Sequence, residues 1–196
     1  MTDAQTPRPP DGNKTAFRDQ LVTTRNRRSL AEVGAAGRLI ATHVLALPAV
    51  RRAGTVAAYV SIGTEPGTGT LLDGLLSSGR RVLLPVLRPD NDLDWAVYTG
   101  DLVPARRGLL EPAGAPVGVD AIGWADVVLV PGLAVDRTGL RLGRGGGSYD
   151  RALARVPVGT PTVVLLYDDE LVAAVPAEPH DRRVTGAVTP SGVHWF

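Results

Sequence analysis

Val127-Val128-Leu129-Val130-Pro131-Gly132-Leu133-Ala134-Val135-Asp136-Arg137-Thr138-Gly139-Leu140-Arg141-Leu142-Gly143-Arg144-Gly145-Gly146-Gly147-Ser148-Tyr149-Asp150-Arg151 is the stretch on which the reading of this chain turns. Its first four residues are a short, wholly apolar run that reads as a buried strand. Four glycines then fall within five positions, at 143, 145, 146 and 147, and a helical pattern over 149–156 starts where they stop. Glycines leave backbone N–H groups uncovered and close to whatever sits above them. Arg141, Arg144 and Arg151 surround that backbone with positive charge, and Asp136 and Asp150 bracket it with carboxylates. Amides, guanidinium groups and a carboxylate together suit a polyphosphate with its divalent metal.

Upstream, helical spacing runs over 14–28 through Ala16, Phe17, Leu21 and Val22, and Ser29-Leu30-Ala31-Glu32 has the form of a capping box opening a second helix. Leu39, Ile40, Val44 and Leu47 make its apolar face, and Pro48 closes it. Residues 55–61 read as a strand, 62–68 as the loop after it, and 71–76 as a short helix ended by Gly79. The next strand is 82–87, with Pro85 arguing for its end rather than its middle. Residues 94–98 read as a further strand leading into a loop over 102–116. Downstream, 162–167 is another buried strand and 184–189 the last one.

Strands alternating with helices predict an α/β fold: a single three-layer domain over 13–196 around a central, largely parallel or mixed sheet. Residues 1–12 hold three prolines and almost nothing to bury, and read as a disordered tail. Ligands of such sheets collect beyond the carboxyl ends of the strands. The loops after Ser61 and after Val130 are therefore expected on one rim.

Composition excludes several classes. A chain of 196 residues with 44% hydrophobic and 21% charged residues is ordinary for one soluble domain. A net charge of +1, with arginine pairs scattered along the chain, gives no basic field for nucleic acid. The absence of cysteine removes disulfides, thiolate nucleophiles and cysteine metal sites, in keeping with a cytoplasmic protein. No apolar run approaches the ~18 residues that span a bilayer, so no membrane partner is expected. Of 21 lysine and arginine residues only Lys14 is a lysine, which fits either chance under a bias toward arginine or a site needing a compact ammonium.

The glycine loop is neither of the familiar nucleotide fingerprints. No Gly-x-x-x-x-Gly-Lys-Ser/Thr string exists, and Ser148 stands where a dinucleotide loop needs glycine. Asp150 is either an N-terminal helix cap or a carboxylate ligand for Mg²⁺. Asp181, in Glu178-Pro179-His180-Asp181, is either a turn residue or a partner in that metal site. Serine hydrolase chemistry lacks its Gly-x-Ser-x-Gly elbow, and His43, His180 and His194 have no metal-ligand spacing. Tyr59, Trp95 and Tyr149 suit either a flat heterocycle or the core.

The order of these pieces resembles the 5-formyltetrahydrofolate cyclo-ligase family, also called 5,10-methenyltetrahydrofolate synthetases. Lys14-x-x-x-Arg18 is similar to that family's N-terminal Lys/Arg pair, and Tyr59-Val60-Ser61-x-x-x-Glu65-Pro66-x-Thr68 to its strand-to-Glu loop. Gly108-x-x-Glu111-Pro112 resembles a family turn, 131–151 the family's long signature, and Val175-Pro176 with His180-Asp181 its C-terminal segment. The resemblance covers residues 14–190 in order.

It implies an ATP- and Mg²⁺-dependent ring closure, in which the formyl oxygen of 5-formyltetrahydrofolate is phosphorylated to an N5-iminium phosphate. N10 then attacks, and 5,10-methenyltetrahydrofolate, ADP and phosphate result. By likeness, Lys14, Arg18, Arg141, Leu142, Gly143, Arg144, Gly145, Gly146, Gly147, Ser148 and Tyr149 contact ATP. Val60 and Glu65 contact the folate, together with Arg144, Gly145, Gly146, Gly147 and Ser148 lying between the two substrates. Arg144, Tyr149 and Asp150 carry the catalytic roles, and Asp150 and Asp181 hold Mg²⁺. The implied enzyme is a cytoplasmic monomer whose partners are 5-formyltetrahydrofolate and Mg-ATP.

Three positions depart from the family pattern. Val135 and Ser148 replace aromatics, which bears on the folate pocket, and Thr185 replaces an aspartate near the metal. Two alternatives stand beside the cyclo-ligase reading. One is a sugar-phosphate isomerase or CoA-transferase-like enzyme on a related fold, by analogy only. The other is a non-catalytic folate-binding module, which the presence of Lys14, Arg18 and both aspartates argues against.

Overall fold

In the computed structural model, which describes residues 13–196, Asn13 starts the first helix by accepting from the backbone N–H groups of Thr15 and Ala16. The expected tail, 1–12, lies outside the described residues. Lys14 thus opens α1 (Lys14–Arg25), with Arg18 one turn later on the same face. The Ser29 box is complete: its hydroxyl accepts from Glu32 N–H, and the Glu32 carboxylate takes Ser29 N–H in return, opening α2 (Leu30–Ala46). Pro48 follows as the first residue of α3 (Pro48–Arg52), where its missing N–H loses no helix bond. Ile40, Val44 and Leu47 are buried as their spacing predicts, but Leu39 is exposed. Ala36, Gly37 and Ala41 complete the inner face instead. A side chain at Gly37 would run into the Gly67 carbonyl, so glycine lets the loop of the candidate site lie against this helix.

The remaining elements are β1 (Thr55–Ala57), α4 (Gly69–Ser77), β2 (Arg81–Leu87), β3 (Leu93–Tyr98), β4 (Leu102–Pro104), β5 (Leu110–Pro112), β6 (Val127–Pro131), β7 (Ala134–Asp136), β8 (Arg141–Leu142), α5 (Ser148–Leu153), β9 (Thr162–Leu165), β10 (Leu171–Val172), β11 (Gly186–Thr189) and β12 (Gly192–Trp195). Seven of them form the main sheet in the order β12-β11-β9-β6-β1-β2-β3. The pairs from β11 across to β2 are parallel, and β12 and β3 close the edges antiparallel.

Alternation along the strands builds two cores. Val56, Leu129, Val163 and Leu165 face Ile40, Val44, Leu71 and Leu75 of α2 and α4. Ala57, Val128, Val130 and Val164 face Ile122, Ala152 and Leu153 on the other side. Residues one apart therefore enter opposite cores, and the strands read as unbroken apolar runs because both faces are covered.

Four expectations change, the first being that 184–189 is the last strand: β12 follows and pairs antiparallel with β11. Residues 102–116 are not a plain loop, because β4 and β5 pair as an antiparallel hairpin. Pro85 lies inside β2 rather than at its end; it stands beyond Leu83, the last residue paired with β1, where β2 keeps only β3 as neighbour. The segment 134–142 folds as β7 and β8, which join β10 in a small second sheet. Phe17 and Leu21 of α1 bury against Leu133, Ala134, Leu140 and Leu142 of that sheet. This contact fixes the helix that carries Lys14 and Arg18.

Asp136 is part of that sheet and not a bracket for phosphate. Its carboxylate accepts from Thr138 N (2.8 Å), Thr138 Oγ1 (2.6 Å), Leu140 N (3.2 Å) and Val175 N (3.0 Å). Burial opposes its charge, yet these bonds, led by Thr138, hold the carboxyl below the usual carboxylate range.

Candidate active site

Beyond the carboxyl ends of the parallel strands lies a cavity of about 550 Å³. The loop after β1, the turn after β6 and the glycine loop after β8 meet there, on one rim. Within the glycine loop, Gly145 (φ +95°) and Gly147 (φ +67°) occupy the left-handed region that side chains rarely adopt. Gly147 directly precedes α5, so Ser148, not Asp150, opens that helix, and Asp150 is not its cap. From the other side Arg18 Nε donates to the Gly143 carbonyl at 2.9 Å, tying α1 to the loop.

Charged pairs line the cavity. Arg141, nearly buried, donates to the Pro131 carbonyl at 3.1 Å and to Asp150 Oδ1 at 3.2 Å. Arg182 N–H also reaches Asp150 Oδ1, at 3.2 Å, so both of these bonds fall on one carboxylate oxygen. Lys14 Nζ donates to both Asp181 oxygens, at 2.7 and 3.0 Å, and to Glu178 at 3.0 Å. Burial disfavours the Asp181 anion, but Lys14 and the Glu178 N–H hold its carboxyl below the usual range.

Val60 and Glu65 sit in the loop after β1, which is braced by reciprocal bonds between Ser61 and Thr68 at 2.9 and 3.1 Å. Glu65 is buried; Oε2 accepts from Ile62 N at 3.0 Å and Oε1 from Arg144 Nε at 3.0 Å. Burial drives the hydroxyls of Tyr149 and Tyr59 well above the ordinary phenol value, so both remain protonated.

Every residue given a binding, catalytic or metal role by resemblance lines this one cavity, Leu142, Gly146 and Ser148 included, whereas Val135 and Thr185 do not. Asp150 and Asp181 do not stand together as a bare pair. The carboxylates of Asp181 and Glu178 and the His180 ring lie within 4.8 Å of one another, while Asp150 is held by Arg141. Glu178 and the hairpin residues Leu109 and Leu110 are cavity residues that motif reading passed over. All three lie within the quoted segments, Glu178 close to Asp181 and the leucines between Gly108 and Glu111.

A parallel-sheet domain whose glycine loop, arginines and carboxylates line a cavity at the carboxyl ends of its strands has the layout of an α/β ligand-binding enzyme. Sequence comparison narrows that class. A model of the 5-formyltetrahydrofolate cyclo-ligase family matches residues 10–190. The 5-formyltetrahydrofolate cyclo-ligase of Mycolicibacterium smegmatis is 45% identical over 185 residues, covering 91% of this chain and 94% of that protein. The Escherichia coli K12 protein of the same name is 36% identical over 162 residues, covering 80% and 89%. The solved structure of Aquifex aeolicus 5,10-methenyltetrahydrofolate synthetase superposes with a TM-score of 0.79 at 26% identity, covering 93% and 92%. The chain belongs to the 5-formyltetrahydrofolate cyclo-ligase family.

Proposed function

We infer that the chain converts 5-formyltetrahydrofolate to 5,10-methenyltetrahydrofolate at the expense of ATP, with the cavity as its active site. One observation supports this reading above others. Lys14, Glu65, the glycine loop and Asp181, up to 167 positions apart, line a single cavity. Phosphoryl transfer asks little covalent help from a protein and much alignment and charge neutralisation. Lys14, Arg18 and Arg141 supply the cations, and the glycine loop the amides, for the triphosphate. Glu65 accepts the adjacent N–H donors of the pterin.

The cavity is built for partner exchange. Arg144 leaves Glu65 when the pterin arrives and turns to the phosphoryl group passing to the formyl oxygen. Lys14 likewise leaves Asp181 and Glu178 for the nucleotide. N10 then closes the ring as phosphate departs, with the Tyr149 ring packed against both cores behind the loop.

The donor set fits Mg²⁺, since Asp150 and Asp181 offer hard carboxylate oxygens on a cavity rich in phosphate-binding groups. When bound, the ion neutralises phosphate charge; Asp150 and Asp181 would hold it. Among the described residues no helix is long and apolar enough to cross a membrane. We place the enzyme in the cytoplasm as a monomer, in keeping with a cysteine-free chain whose cavity is assembled from one copy.

The test is the absorbance of the methenyl product after mixing protein, 5-formyltetrahydrofolate, Mg²⁺ and ATP. Growth of the band only when ATP is present is the expected result. Tight folate binding without ATP consumption would instead make the chain a non-catalytic folate-binding module.

A further inference from the structure

Tyr59 stands where the chain leaves β1 and enters the Glu65 loop, and it lines the cavity. Its ring is packed into the core formed by α2, α4 and the main sheet, leaving 3% of the residue exposed. Its hydroxyl is buried and has no hydrogen-bond partner among the described residues. A buried hydroxyl without a partner lowers stability, and phenylalanine would fill the same space without that penalty. Trp95 also carries a buried, unpartnered N–H, but it does not line the cavity. Tyr59, Glu65 and Tyr149 line the same cavity; Glu65 and Tyr149 act most on the Tyr59 hydroxyl through space, ahead of the buried Arg25 and Glu170. With its proton retained by burial, the phenol is a donor on a cavity wall that also carries the Glu65 acceptor carboxylate.

A pterin presents the complementary pattern along one edge: a 2-amino group and N3–H as donors, then a 4-oxo group as acceptor. We propose that Tyr59 is a specificity-determining residue, its hydroxyl donating to the 4-oxo oxygen of the pterin while Glu65 accepts from the two donors beside it. The proposal rests on the assignment of Glu65 to the pterin. It also accounts for a hydroxyl kept at a position where the free protein has no use for one.

The experiment is a fluorescence titration of Tyr59→Phe and Glu65→Gln with 5-formyltetrahydrofolate and with its 4-amino analogue, alongside steady-state kinetics and thermal unfolding. Tyr59→Phe is expected to weaken the 4-oxo compound about fivefold to thirtyfold, leave the 4-amino analogue unchanged and so narrow their ratio. KM for ATP stays constant, and the midpoint of unfolding holds or rises because the orphaned hydroxyl is gone. Unchanged affinity for the 4-oxo compound in Tyr59→Phe, with a loss in Glu65→Gln, overturns the role of Tyr59 alone. Unchanged affinity in Glu65→Gln removes the carboxylate from the pterin and the proposal with it. A lower unfolding midpoint with both KM values raised makes the hydroxyl structural and also overturns the proposal.

Discussion

Arg25 and Glu170 meet through two bonds, at 2.6 and 2.7 Å, with 1% and 3% of their side chains exposed, whereas Arg144 and Glu65 meet through one bond at 3.0 Å and Arg144 remains 45% exposed. Both pairs join an arginine to a glutamate distant in the chain. The first ties the end of α1 to the turn after β9, with Arg25 also reaching the Gly132 carbonyl at 2.6 Å and Glu170 accepting Tyr167 N–H at 2.9 Å. Arg28 stacks over the Tyr167 ring at 3.9 Å and adds to the same junction. A shielded two-bond pair exchanges with nothing, so it acts as a fixed joint for the helix bearing Lys14. The second pair opens onto the cavity, and under the proposed function it holds two ligand-facing groups for each other until ligands arrive. Solvent access, more than residue type, separates a joint from an exchangeable contact.

The widest split between the two pairs should appear on removing one acid. Glu170→Ala leaves a buried guanidinium without its carboxylate and should lower stability by about 3–5 kcal/mol, read from urea unfolding. A smaller loss would show that water already reaches Arg25. Lys14→Ala should come next, raising the ATP dissociation constant roughly tenfold to a hundredfold, the equivalent of about 1.5–3 kcal/mol for a charge-assisted contact. Calorimetry showing unchanged ATP binding would confine Lys14 to its pairing with Asp181 and Glu178.

Acid adds a third, more distributed effect. Asp136 and Asp181 are held below the usual carboxylate range, so the unfolded chain takes up their protons first as pH falls. Their stabilisation is full above the unfolded value of about 4 and is lost below it. Unfolding midpoints across pH 2–6 should fall at the acid end, and Asp136→Asn should flatten that fall. Smallest is the stability change in Glu65→Gln, under about 1 kcal/mol, because its partner is water-exposed. That variant should lose folate turnover while unfolding near the wild-type midpoint, and a loss matching Glu170→Ala would erase the distinction.

Long or well-punctuated features were legible from the chain. The runs at 127–130 and 163–166 are apolar throughout because helices cover both faces, and Ser29 with Glu32 announces a helix start in four residues. The glycine-arginine loop was legible through composition, since few turns need so many uncovered amides and guanidinium groups together. Strands of two or three residues, such as β7, β8, β4 and β5, are too short to express a period, and only pairing reveals them. Leu39 was misplaced because its neighbour Ile40 fits the same stripe, and the small residues Ala36 and Gly37 decide which side faces inward. Ion pairs spanning 79 and 167 positions leave no mark in local spacing, so the identity of each partner had to come from the fold.

The clasp between Lys14 and Asp181 has a consequence for biosynthesis. Its two members are made 167 positions apart, Lys14 before Asp181. The parallel strands β1, β2, β6 and β9 are all synthesised in the interval. A ribosome-bound chain therefore acquires most of its sheet before Asp181 emerges to close this side of the cavity.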